Sequence, residues 1–171
     1  MLTTSRWILR IMNMLNWIAG IAILLALGAL AFVFPSQMAD SLSRSDPALS
    51  AETLLVALRW VVIITAPIIL LVHILFTRLI AMIDSVPGGN ALSLVNADRL
   101  RTIAWALIGI NLLDLAYGAV AMWADFSAGD GASPFEWTFS LTGWLAALML
   151  FILAQVFREG AAMRDELEGT V

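Results

Sequence analysis

Four stretches of the chain run for about twenty residues with almost no charged position, and polar clusters separate them. The first, 15–34, is uncharged and stops at Pro35. The second, 60–83, is interrupted by His73 and, near its end, by Arg78. The third, 103–123, carries Asp114 in its middle, and the fourth, 137–157, is free of charge. A helix rises 1.5 Å per residue, so about 20 apolar residues cross a hydrocarbon core of about 30 Å. The pattern predicts an all-α fold, an integral membrane four-helix bundle formed by residues 1–171 as one domain, with a short tail at 158–171. Arg6 and Arg10 ahead of the first run also fit the head of a secretory signal. That run, however, exceeds an apolar signal region of about 7–15 residues, and it reads as an uncleaved helix.

Composition agrees. Of 171 residues, 61% are apolar and 13% charged, against about 45–50% and about 25% in soluble domains. With no cysteine and one histidine, the chain has no material for a disulfide framework, thiol catalysis or a Cys/His zinc cluster. All nine basic residues are arginine and the net charge is −4, so no basic field is present to hold nucleic acid directly. Phosphate-binding loops, dinucleotide-binding glycine patterns and metalloprotease or hydrolase signatures are missing from the sequence, and the expectation is a protein without catalytic residues, metal or cofactor.

Arginine placement predicts orientation. Arg6, Arg10, Arg78, Arg99, Arg101, Arg158 and Arg164 fall at the N-terminus, the middle loop and the tail, whereas Arg44 and Arg59 fall in the other two loops. Basic residues are retained on the cytoplasmic side, which puts both termini inside. The outer loops are acidic, with Asp40, Asp46, Glu52, Asp125, Asp130 and Glu136. Trp60, Trp123 and Trp137 are then expected at the outer interface and Trp7 and Trp105 at the inner one, where indole rings settle. Ser50-Ala51-Glu52 predicts a second helix beginning near Ala51, Pro87-Gly88-Gly89-Asn90 a turn, and Asn96-Ala97-Asp98 the cap of the third helix.

Within the spans, Asp114 is the costliest residue: an unpaired carboxylate at the centre costs about 2.5–3.5 kcal/mol on the insertion scale, so it is expected to face the interior. Asn111, Asp114 and Tyr117 form one polar stripe at helical spacing. Counted from Trp60 and Trp123, His73 lies about 20 Å deep and Asp114 about 14 Å deep, within reach of each other. One reading makes them a proton or cation site, with His73 as the titrating group; the plainer one makes them buried hydrogen-bonding groups. Pro67 withdraws a bond from the Ile63 carbonyl, while Gly143 with Ala147, and Ala22 with Ala26, allow helices to approach closely.

The middle loop reads Asn96-x-x-Arg99-Leu100-x-x-Ile103, and the tail Phe157-x-x-Gly160-x-x-Met163-x-Asp165-Glu166-Leu167-Glu168-x-Thr170-Val171. Together with the four-span layout, these residues resemble the bacterial membrane proteins of domain-of-unknown-function family 2975. The resemblance implies no activity. It implies a partner, since members are often encoded beside a small helix-turn-helix regulator. The expectation is a non-enzymatic protein of the bacterial inner membrane that meets the lipid bilayer and binds a cytoplasmic regulator through Asn96, Arg99, Arg101, Gly160, Arg164, Asp165, Glu166 and Glu168. The alternatives are a small proton-coupled transporter or channel using Asp114 and His73, and an assembly subunit or homo-oligomer packed through small-residue faces.

Overall fold

The computed structural model describes residues 2–37, 51–88, 92–128 and 135–168, apart from the side chains of Leu2, Ala128, Asp165, Leu167 and Glu168. Helix α1, Leu2–Gly28, continues into a π-helical turn, Ala29–Val33. Helix α2, Ala51–Ser85, ends in a 3₁₀ turn, Val86–Gly88. Helices α3, Leu94–Ala128, and α4, Thr142–Glu168, follow. No strand occurs among the described residues. The segments Thr3–Val33, Ala51–Ser85, Leu94–Ser127 and Thr142–Arg164 are each long and apolar enough to cross a bilayer, so the chain is an all-helical, multi-pass membrane protein.

Two local expectations are corrected. The fourth helix starts at Thr142 and not at 137, because 135–140 has no regular secondary structure and Trp137 is drawn onto α3 instead. The N-cap of α3 is Ser93, not Asn96: the Ser93 carbonyl accepts from Ala97 N–H at 3.0 Å and its hydroxyl from Asn96 N–H at 3.3 Å, the geometry that satisfies an orphan donor of the first turn. The start of α2 at Ala51 is as expected. In the 87–90 turn, Gly89 and Asn90 lie outside the described residues, as do Asp40, Asp46 and Asp130 of the acidic loops.

The chain forms two compact units. The first comprises Met1–Asn16, Leu70–Asn111 and Ser140–Val171. Here α1 meets α2 through a hydrogen bond from His73 Nδ1–H to Asn13 Oδ1 at 2.9 Å. A Cβ on Gly109 of α3 would fall 2.9 Å from Leu71 Cδ1 of α2, and one on Gly143 of α4 would collide with the Asn111 carboxamide of α3. Trp105 and Phe151 meet edge to face at 5.4 Å. Ala97, Ala104, Ala106, Ala147, Ala154 and Ala161 are buried. Lipid tails are as apolar as leucine, so helices in a bilayer are held by close packing through such small residues rather than by the hydrophobic effect.

The second unit comprises Trp17–Ile69 and Leu112–Phe139. A Cβ on Gly20 of α1 would lie 2.7 Å from Ile69 of α2. The π turn closes with Phe34 N–H donating to the Ala29 carbonyl at 2.8 Å. Arg59 of α2 then donates from Nε to the Ala31 carbonyl at 3.3 Å, its guanidinium 5.5 Å from the centre of the Phe32 ring. Arg59 is thus a clasp on the end of α1. An apolar cleft of about 320 Å³ between α2 and α3 is lined by Val56, Trp60, Ala119, Val120 and Trp123. Ala22 and Ala26, by contrast, are exposed.

Candidate functional site

The densest polar construction lies in the first unit, where the end of α2 meets the start of α3. Because Ser93 takes the capping role, the Asn96 side chain turns inward, and only 1% of the residue is exposed. Its Nδ2 donates to Ser85 Oγ at 2.7 Å, and Ser85 Oγ donates in turn to the Met82 carbonyl at 2.6 Å. Its Oδ1 accepts from Arg99 Nη1 at 2.9 Å, and the same nitrogen reaches the Ala81 carbonyl at 2.8 Å. A guanidinium therefore sits at the C-terminal end of α2, where backbone carbonyls lack helical partners and the dipole favours positive charge. A salt bridge between Arg6 Nε and Asp84 Oδ1 at 2.6 Å ties α1 to the same end of α2.

Around this network lies a surface. Leu92, Leu94 and Val95 are between 47% and 59% exposed, and Met163 of α4 is 62% exposed. Leu92 approaches Gly160, whose absent Cβ would stand 3.8 Å from it. Arg158 Nη2 meets Asp98 Oδ1 at 3.2 Å in an exposed pair. Phe157 helps line an apolar groove of about 270 Å³ with Leu79, Met82, Ile83, Val86 and Asn96.

Of the residues expected to contact a partner, Arg101, Arg164 and Glu166 are exposed and Arg99 is half-buried in the network. Gly160 lies beside Leu92. Asp165 and Glu168 stand on α4, with side chains outside the described ones. Asn96 is almost wholly buried and holds α2 to α3, with a small part of it reaching the groove beside Phe157. Arg164 and Glu166 each have a partner of their own, whereas Arg101 bonds to no described residue.

The polar stripe of α3 divides. Asn111 belongs to the first unit and donates from Nδ2 to the Leu107 carbonyl at 2.7 Å. Asp114 and Tyr117 belong to the second. Asp114 does not face an interior: it is exposed, and Trp137 Nε1–H donates to its Oδ2 at 3.2 Å. The indole fits there because Gly118, one turn along, has no side chain; a Cβ would lie 2.5 Å from the ring. Trp137 is accordingly packed against α3, beside Gly118 and Asp114. Tyr117 is half-buried. His73, in the first unit, pairs with Asn13.

Sequence reasoning missed Ser85, Asp84 and Ser93 as members of the polar network, and Trp137 as the donor to Asp114. A polar pair closing one helix and a serine opening the next was the only signal for the first three, and Gly118 one turn from Asp114 the only one for the last. No curated protein matches the chain, and no solved structure matches it. The model of the family described as "Protein of unknown function (DUF2975)" matches residues 37–171, and the chain belongs to that family.

Proposed function

We propose that this is a non-enzymatic protein of the bacterial inner membrane, with both termini in the cytoplasm, whose polar end docks a soluble partner. The sequence resemblance nominates a small helix-turn-helix regulator as that partner. The observation that carries the reading is the exposure of Leu92, Leu94 and Val95 ahead of the charged residues Asp98, Arg99 and Arg101. The apolar run of α3 begins at Ile103, so Leu94 and Val95 project about 12 Å beyond it at 1.5 Å per residue. Apolar side chains held in water on a hydrogen-bonded platform are the usual mark of a protein interaction site. Gly160 and Met163 extend the patch onto α4, and Arg101, Arg158 and Asp98 supply a charged border.

No arrangement within either unit favours the proton-coupled carrier, since His73 bonds Asn13 and Asp114 bonds Trp137. The test of docking is crosslinked co-purification of the full chain from its native membranes, with Leu94→Ser/Val95→Ser and a chain stopped after Ala162 as variants. Stopping there keeps Phe157 and Ala161, which pack inside the first unit. Recovery of a DNA-binding protein is expected to fall at least about tenfold in the double variant, the loss typical of a contact residue at the centre of an interface. Undiminished recovery from both variants would sink the docking surface.

A further inference from the structure

A second groove in the first unit, of about 310 Å³, runs between α3 and α4 and is lined by Arg101, Phe151, Ala154, Gln155 and Arg158. Its layers follow the helix rise. Trp105 and Phe151, edge to face at 5.4 Å, mark the apolar level. Ala154 and Gln155 come one turn further out, then Arg101 and Arg158, and beyond them the carboxylates Asp98 and Glu159. Two guanidinium groups from neighbouring helices therefore line one groove at the level where the spans leave hydrocarbon. Both are nearer the lipid than the carboxylates of the same helices.

We infer that this groove binds the phosphate headgroup of an anionic phospholipid, with an acyl chain laid against Phe151 and Trp105. Basic pockets between helices at the membrane surface are suited to such headgroups, and guanidinium planes match phosphate oxygens two bonds at a time. Arg101 is open to the ligand, having no bond to any described residue. Arg158 is engaged with Asp98 at 3.2 Å, but that pair is exposed, with side chains 46% and 70% accessible. An exposed pair is weak, so a phosphate can share or replace the carboxylate at little cost. Gln155 of the groove donates from Nε2 to Glu159 Oε1 at 2.9 Å, so that carboxylate's charge is partly met by the amide.

The site shares Arg101 and Arg158 with the border of the docking surface but needs no protein partner, since it requires only that α3 and α4 cross a bilayer. The full chain is reconstituted in nanodiscs of phosphatidylcholine containing a minor fraction of phosphatidylglycerol, and lipids retained on release are counted by native mass spectrometry. Arg101→Gln/Arg158→Gln is compared with Arg10→Gln, an exposed arginine outside the groove. Helical content and thermal midpoint of each variant are recorded first, and neither groove arginine is buried. Retained phosphatidylglycerol is expected to fall on the order of tenfold in the double variant, as loss of two membrane-surface charges implies, and to hold in Arg10→Gln. Equal loss in both variants means diffuse charge attraction and overturns the site. A further arm adds inorganic phosphate to nanodiscs of phosphatidylcholine alone. Binding there as strong as to the lipid overturns the lipid assignment, and absence of binding supports it.

Discussion

Asn96 holds two helix ends with one carboxamide, and both of its halves are committed, Nδ2 to Ser85 and Oδ1 to Arg99. Asn96→Ala leaves the Ser85 hydroxyl without that donor and the Arg99 guanidinium with the Ala81 carbonyl alone. Breaking a buried network in this way costs about 1–3 kcal/mol, which appears as a lowered thermal midpoint in mild detergent. Arg101→Ala is expected to leave the midpoint within about 0.5 kcal/mol of the parent, as surface substitutions do. Equal shifts for the two would mean that the network contributes nothing. The polar character of 93–101 was legible in the sequence, but the division of labour was not. Ser93, Asn96 and Asp98 all suit a helix cap, and the choice among them is made by Ser85, eleven residues upstream, which claims the Asn96 amide.

At the level of elements, four apolar runs were sufficient to find four helices, because a bilayer demands about twenty apolar residues from each. Their ends were less legible. Hydrogen bonding along a helix continues into water, so α1 begins at Leu2 and α3 at Leu94, well before the apolar runs do. Residues 137–141 are as apolar as a helix start, yet stay unwound because Gly118 offers a slot to the Trp137 indole. Gly118→Ala puts a methyl 2.5 Å from that ring, and the segment is expected to move, breaking the 3.2 Å bond to Asp114. Tryptophan emission should shift to the red and quenching by acrylamide should rise. Gly28→Ala, where nothing lies within 4 Å of the added carbon, should change neither. Identical spectra for both variants would refute the slot.

For the whole molecule, a chain without cysteine makes sidedness directly measurable. The arginine asymmetry predicts that a cysteine at Ser127 reacts with an impermeant maleimide in intact cells. One at Leu94 should react only after the membrane is opened. The opposite pattern would reverse the proposed orientation while leaving the helices and the arginine groove as they are. The late start of α4 also has a physical consequence. Its uncharged helical stretch, 142–157, measures about 24 Å at 1.5 Å per residue, short of a hydrocarbon core of about 30 Å. Such a deficit is met by local thinning of the bilayer or by flanking side chains reaching outward, at a cost of fractions of a kcal/mol for each ångström. In a thicker bilayer the same helix would drag Gln155 and Arg158 toward the acyl region. The last span is therefore expected to sit at lower cost in thin bilayers than in thick ones, whether or not a partner or ligand is engaged.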